Sequence, residues 1–314
     1  MVALAVALAL GMAQAPDPPR PTFSEWLAEL RAEALTRGIR EEIVDAALAD
    51  VSEPQPIILE RDRAQAETVF SLEKYLSRRL TTKLMGGGRQ AYAAHRELLD
   101  RIVERYGVPS RIIVAIWGVE SNYGRFSGVR PAVPALATLA WDPRRATFFR
   151  GELFNALEIL NRGDIDLPRL RGSWAGAMGQ VQFMPSSYLK FAEDFDGDGH
   201  RDIWSTPADV FASIANYLHG HGWTGEESWG REVRLTPEAQ RRVVKGVAPR
   251  SGTCQATRNM TVALPLARWH ELGVRLAEGT ALPKREIDAS LVAGSIGDPR
   301  SRGPRARSGR HRGR

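Results

Sequence analysis

Cysteine is nearly absent from this chain: Cys254 is the single one in 314 residues. One thiol forms no internal disulfide framework and no all-cysteine metal site, and it says nothing of compartment, because exported proteins also lack disulfides. Cys254 lies in a polar Ser-Gly-Thr stretch with no base beside it, which argues against a nucleophile. Long apolar runs are missing as well; none approaches the roughly 20 residues that a membrane-spanning helix requires. Strand signals are few and short, and no tandem repeat is present. The rest of the composition is ordinary, 43% hydrophobic and 25% charged, which excludes wholesale disorder and collagen-like repetition. The length allows a full core and suggests about two domains.

Excess positive charge is missing from most of the chain. The net charge of +6 comes from Arg300–Arg314, which holds seven Arg and no acid and leaves 36 basic against 37 acidic residues elsewhere. A basic nucleic-acid-binding face is not indicated, and the tail offers no aromatic on which bases could stack. Residues 293–314 carry no apolar periodicity and read as a disordered Arg-rich tail. At the other end, Val2 to Ala13 is apolar and Ala13-Gln14-Ala15 fits a small-x-small cleavage site. Residues 1–15 thus read as a secretory signal peptide, with a buried N-terminal helix as the alternative, although no Lys or Arg follows Met1. No Cys follows the run, which speaks against a lipid-anchored form.

Between the ends the apolar spacing predicts a mainly α fold. One helix opens at Phe23, with Trp26, Leu27 and Leu30 at three-to-four spacing, and a second carries Ile43, Ala46, Ala47 and Leu48. A third, marked by Val69, Leu72, Leu76 and Leu80, is expected to end near Gly86-Gly87-Gly88. Further helices are expected over roughly 91–106, 110–123, 147–161, 185–193, 207–219, 236–245 and 264–276.

The segment Ser110–Gly124 carries the first chemical signal. Its body, Ile112 to Val119, is almost wholly apolar, and a helix apolar all round is buried. Glu120 at its end is expected in apolar surroundings that favour the neutral acid, which could protonate a leaving oxygen. A Glu paired with Arg125 for structural reasons is the competing reading. The second signal is Ser173-Trp-Ala-Gly-Ala-Met-Gly-Gln-Val-Gln-Phe-Met-Pro-Ser-Ser-Tyr188, which packs small residues, amides and hydroxyls around aromatics and contains no acid. Ser173, Gln180 and Gln182 offer hydrogen bonds to hydroxyl and acetamido groups, and Trp174 and Tyr188 offer flat faces for sugar rings. A plain Gly-rich loop before a helix starting at Pro185 is the alternative.

A third signal is Asp194-Phe-Asp196-Gly-Asp198-Gly199-His200-Arg-Asp202, with acids at positions 1, 3, 5 and 9 of an EF-hand-like loop and Gly at position 6. Such a loop would hold calcium, with His200 giving its backbone carbonyl; numerous, flexible oxygen ligands favour calcium over magnesium. Ser205 stands where the bidentate Glu of an EF-hand belongs. A solvated acidic turn is the alternative. His219 and His221 lack a carboxylate partner at metal-site spacing and read as a helix end and turn.

Glu120-Ser121-Asn122-Tyr123-Gly124 followed about fifty residues later by GSWAGAMGQVQFMPSSY resembles the membrane-bound lytic murein transglycosylase B family, lysozyme-like enzymes that cleave bacterial peptidoglycan. The resemblance runs from about Phe23 to Leu291. It implies a lysozyme-like catalytic core with an additional helical domain, divided here as 16–90, 91–232 with a calcium loop at 194–209, and 233–292. It implies Glu120 as catalytic acid, and Ser173, Gln182, Tyr217 and Tyr75 as glycan contacts, beside Tyr188. It also implies a loop longer than an EF-hand, closed by a later acid, for which Asp209 is the candidate beside Asp194, Asp196, Asp198 and Asp202.

The implied reaction cleaves between N-acetylmuramic acid and N-acetylglucosamine. Glu120 protonates the glycosidic oxygen and then, ionised, takes the proton from the C6 hydroxyl that attacks C1, leaving a 1,6-anhydro sugar without consuming water. The implied protein is a periplasmic monomer with structural calcium, no organic cofactor and peptidoglycan as its partner. Two alternatives stand beside it. With Asp142, Asp164 or Asp166 as a second carboxylate, the chain would be a hydrolytic muramidase. Alternatively, the Arg-rich tail replaces an apolar stretch and a Tyr-Asn-containing helix of the family, through a frameshift or truncation, and leaves a non-catalytic peptidoglycan-binding protein.

Overall fold

The computed structural model describes residues 21–64, 72–224, 230–252 and 260–292, with backbone alone at 72–75. The expected signal peptide, the tail, Cys254 and the side chain of Tyr75 lie outside the described residues. Among those described, the fold is mainly helical, as the periodicity predicts. In chain order the helices are α1 (Phe23–Thr36), α2 (Glu41–Leu48), α3 (Pro56–Ala64), α4 (Leu72–Arg79), α5 (Thr82–Ala94), α6 (Arg96–Tyr106), α7 (Ser110–Ser121), α8 (Ala132–Trp141), α9 (Ala146–Arg162), α10 (Pro185–Phe191), α11 (Pro207–Gly220), α12 (Pro237–Gly246) and α13 (Leu266–Glu271). Strand is confined to two-residue antiparallel pairs: β1 (Arg130–Pro131) with β2 (Arg171–Gly172), β3 (Val233–Arg234) with β5 (Arg275–Leu276), and β4 (Leu264–Pro265) with β6 (Asp288–Ala289). The described residues form two compact units, one within Met1–Ala66 and Glu120–Tyr217, the other within Glu67–Val119 and Leu218–Arg314.

The first unit is built on the hairpin of α8 and α9. In α9 the buried Phe149, Leu153, Phe154, Ala156, Leu157 and Leu160 recur at three-to-four spacing, the stripe of an amphipathic helix. Its partner α8 buries Ala132, Val133 and everything from Ala135 to Ala140, so it has no polar face and no period. That helix was not expected from the sequence, and neither was α3. α1 opens with a reciprocal cap: Glu25 N donates to Thr22 Oγ1 at 3.3 Å, and Thr22 N donates to the Glu25 carboxylate at 2.7 Å. On α3, Asp62 is buried and receives the guanidinium groups of Arg144 and Arg145, which tie α3 to the α8–α9 turn. Glu152, buried on α9, accepts Ser186 N at 2.8 Å and Ser186 Oγ at 2.6 Å, and so fixes the start of α10.

The second unit contains α5 and α6, with a separate core of Val243, Val247, Trp269, Leu272, Val274 and Leu282 under the two strand pairs. Trp269 Nε1 donates to Ala289 O at 2.7 Å and locks α13 to β6. Two expectations are corrected here. Gly86–Gly88 do not end a helix; they lie inside α5, whose start is capped by Thr81 Oγ1 accepting Leu84 N at 3.1 Å. The helix expected over 264–276 is also shorter, since the chain leaves α13 after Glu271 and returns as β5.

Candidate active site

α7 delivers Glu120. Its buried side chains, Ile113, Val114 and Trp117, lie on one side and Ala115 and Val119 are exposed on the other; Glu120, three residues after Trp117 and seven after Ile113, continues the buried side yet is exposed at the helix end. The expected burial of Glu120 is therefore corrected: the cover over the Ile113–Trp117 side does not reach Glu120 at the end of α7. Beyond Ser121 the chain reverses through three successive left-handed residues, Asn122 (φ 52), Tyr123 (φ 59) and Gly124 (φ 76). Gly124 N donates to Ser121 Oγ at 3.1 Å, and Phe126 N to Ser121 O at 2.9 Å. Burial pushes the Tyr123 phenol above its ordinary range.

The second motif is two successive backbone turns. Ser173 N donates to Ala177 O at 2.7 Å, while Met178 and Phe183 exchange backbone bonds of 2.7 and 3.1 Å. Ser173 Oγ accepts Ala175 N at 3.3 Å and Ala177 N at 3.2 Å, so this hydroxyl helps shape the loop. Gln182 sits at φ 53, half-buried, with Nε2 donating to Gly179 O at 2.9 Å. Tyr217 on α11, also half-buried, packs its ring against Phe183 (5.3 Å) and Phe191 (5.1 Å).

The two motifs meet. A Cβ on Gly124 would lie 2.5 Å from Gln180 Oε1, and just beyond the first motif β1 pairs with β2. Among the described residues, the non-glycine residues at positive φ are Asn122, Tyr123 and Gln182, all within these motifs. Such conformations typically cost about 1–3 kcal/mol each and cluster at functional sites. Two expected sugar contacts are corrected. Tyr188 is fully buried, its hydroxyl donates to Arg201 O at 3.0 Å, and burial first, then the charge of Asp164, raises its pKa. It offers no face to a sugar. Gln180 is 7% exposed, with Nε2 donating inward to Trp204 O at 2.7 Å.

The acidic loop gathers some of its expected ligands. Carboxylate oxygens of Asp194, Asp196 and Asp209 lie within 4.8 Å of one another. Asp194 accepts Gly197 N, Asp198 N and Gly199 N at 2.7–3.1 Å; the fully buried Asp209 accepts Phe195 N and Asp202 N at 2.8 Å each. Burial, then the charges of Asp196 and Asp194, raises Asp209 to about 6 against those two bonds. Three carboxylates converging on one point, one of them buried and hard to ionise alone, fit a hard cation. Asp198 and Asp202 are not among the three clustered carboxylates. Asp198 accepts His200 N at 2.8 Å. Asp202 accepts Trp204 N and Ser205 N and pairs with Arg169 at 3.1 Å. Burial of Asp202 opposes ionisation but is outweighed by the Ser205 hydroxyl and these N–H groups, so its pKa is lowered. His200 is exposed, and His219 and His221 fall at the end of α11 and the following turn, as read from the sequence.

A family model described as the transglycosylase SLT domain matches residues 22–300, which takes in both motifs and the acidic loop. The chain belongs to the transglycosylase SLT domain family. A curated relative of this family member, membrane-bound lytic murein transglycosylase B of Escherichia coli K12, is 45% identical over 152 residues. That alignment spans 48% of this chain and only 42% of the relative. Among solved structures, SltB3 of Pseudomonas aeruginosa in complex with NAG-anhNAM-pentapeptide is 38% identical with a TM-score of 0.76, covering 87% of this chain and 69% of that one. The Escherichia coli lytic transglycosylase Slt35 in complex with calcium is 29% identical with a TM-score of 0.68, covering 85% and 79%. The resemblance read from the two motifs is thereby borne out at the level of the family. What sequence reading missed in this SLT domain is Glu152, whose signal was an acid within the apolar stripe of α9.

Proposed function

We propose that this SLT-domain protein is a peptidoglycan lytic transglycosylase that cleaves between N-acetylmuramic acid and N-acetylglucosamine and leaves 1,6-anhydromuramic ends. The observation that carries this reading is the meeting of the Glu120 turn with the Gly172–Phe183 loop, both held in strained backbone, in a chain of this family. Glu120 acts as the acid: exposed on α7, its carboxyl is reachable by a glycosidic oxygen. A glycan strand laid over it would supply the low-dielectric surroundings that favour a neutral carboxyl. After protonating the leaving oxygen, the same carboxylate accepts the C6 hydroxyl proton, and C6 oxygen closes on C1 as the glycosidic bond breaks. Residues 173–188 contain no acid to activate water from that side, which favours the intramolecular route over hydrolysis. Ser173, Gln182 and Tyr217, all half-buried, are assigned to glycan contacts, with Tyr75 as a further one.

Asp194, Asp196 and Asp209 are assigned to a structural calcium that neutralises their mutual repulsion, in an EF-hand-like loop within a lysozyme-like catalytic core over 91–232, together with helical regions at 16–90 and 233–292. A relative named as membrane-bound and acting on murein supports a place outside the cytoplasm, here the periplasm after export. Among the described residues no helix is long and apolar enough to cross a membrane. The test is mass spectrometry of purified peptidoglycan digested with the full chain and with Glu120→Gln. Anhydromuramyl products that vanish in the variant, a loss of at least about 1000-fold if one carboxyl serves both proton transfers, are expected. Reducing-end products would replace the reading with hydrolysis, and no products from folded protein would leave a binding protein.

A further inference from the structure

Gln180 joins two places that the proposed chemistry treats separately. Its backbone N donates to Ile203 O at 2.8 Å and its Nε2 to Trp204 O at 2.7 Å, which seats it on the segment leaving the acidic loop. Gly179, beside it, lies so close to that segment that a Cβ would stand 2.7 Å from both Ile203 Cγ1 and Ile203 O. On the opposite side, Gln180 Oε1 presses on the turn behind Glu120: a Cβ on Gly124 would stand 2.5 Å from it. The amide is pinned, and it can yield to such a Cβ only by leaving the Trp204 carbonyl. Gly124 closes the left-handed turn and bonds to Ser121 Oγ, and Ser121, buried to 1% exposure, is the residue next to Glu120. The 203–204 segment is held in turn by the acidic loop, since Trp204 N donates to Asp202 Oδ1 and Asp202 N to Asp209 Oδ2, both at 2.8 Å.

We infer that Gln180 is a positioning residue: its buried amide sets the Ser121–Gly124 turn, and through it Glu120, against the Ile203–Trp204 segment. The inference rests on the reading of Glu120 as the acid for its kinetic consequence, and on geometry alone for its structural one. It replaces the expectation that Gln180 contacts sugar.

The test uses the full chain and the variants Gln180→Ala, Gln180→Met, which keeps side-chain length without the amide, Gly124→Ala, and the double variant Gly124→Ala with Gln180→Ala. Hydrogen exchange without substrate should quicken about tenfold or more at Gly124 and Phe126 N–H in both Gln180 variants, with α8 and α9 unchanged, as expected for a local opening. On a soluble glycan oligomer, kcat should fall about 10- to 100-fold while KM stays within about threefold, because a misplaced acid loses rate more than binding. Gly124→Ala should lower the unfolding midpoint, and removing the Gln180 side chain should give the new methyl room. The double variant should then be less destabilised than the two single changes added together. Unchanged exchange at 122–126 in Gln180→Met, a strictly additive cycle, or a loss confined to KM would each overturn the inference. If the parent chain releases no product, the reading of Glu120 fails instead, and exchange and the stability cycle still judge Gln180.

Discussion

The loop Gly172–Phe183 and the acidic loop Asp194–Asp209 lie in the same unit, both nearly devoid of regular structure, and are held by opposite means. The first is held by close backbone contacts, within itself and, through Gln180, to the Ile203–Trp204 segment. Its backbone bonds close on one another, Ser173 and Gln182 turn their side chains back onto its own main chain, and its glycines press directly on neighbouring atoms. The second is held by carboxylates that accept backbone N–H groups yet face one another, so like charges stand together at its centre. The glycan contact proposed for the first loop asks for fixed geometry whatever the ionic conditions. A structural loop can leave part of its stability to an ion.

The largest effect separating the two belongs to the first loop. Gly176 has φ +83, and a Cβ there would meet Leu136 Cδ2 at 2.4 Å, against the buried face of α8. Gly176→Ala combines a disfavoured backbone with overpacking and should cost about 2–4 kcal/mol. Chemical denaturation with and without calcium would measure it. A loss that calcium repairs would mean that the two loops are not held independently.

The next effect belongs to the acidic loop. Without a cation, Asp209 has its folded pKa raised from 3.8 to about 6. The folded chain therefore holds this proton more tightly than the unfolded one. Its contribution to stability is full below pH 3.8 and is lost as pH rises through about 6. In the proposed site calcium would take the place of the proton, so the stabilisation by calcium should be large at pH 7.5 and fade between pH 6 and 4. At a hundredfold excess over Kd the gain is about 2.7 kcal/mol, or roughly 5 °C or more in Tm for a unit of this size. Thermal unfolding at several pH values, with calcium or a chelator, reads this directly, and Asp209→Asn should remove most of the response. A calcium shift that is the same at pH 4.5 and 7.5 would sink the assignment of Asp209 as a ligand.

How much of this was legible depended on whether a feature was local in the chain. α9 and α1 announce themselves by a stripe and a cap, and the two site motifs by their order and spacing. α8 could not be read that way: it is buried on every side, so polar and apolar positions do not alternate and the periodic signal vanishes. Burial failed in the reverse sense at Glu120, because an apolar helix shows which residues would accept a core, not where along the helix the cover ends. Tyr188 and Gln180 sit in a motif rich in sugar-binding residue types, yet they face inward. Their hydrogen bonds go to the carbonyls of Arg201 and Trp204, which lie beyond the motif in the chain. The EF-hand spacing likewise placed five ligands by number, whereas Asp202 is claimed by a local turn and by Arg169.

The smallest expected effect comes from a region that belongs to neither loop and so serves as their baseline. Gly86 stands inside α5, half-exposed, and a Cβ added there meets nothing within 4 Å. Unlike Gly124 and Gly176, it is not among the residues at positive φ, so no backbone conformation requires a glycine. Its presence leaves helix propensity unused, and Gly86→Ala should stabilise the second unit by about 0.5–1 kcal/mol, chiefly by restricting the unfolded chain. Because the site motifs lie in the other unit, product release from peptidoglycan should stay unchanged while the denaturation midpoint rises. A destabilised variant would mean that the glycine triplet is retained for a close approach made at Gly86, and α5 would join the loops as a segment whose glycines are required by packing.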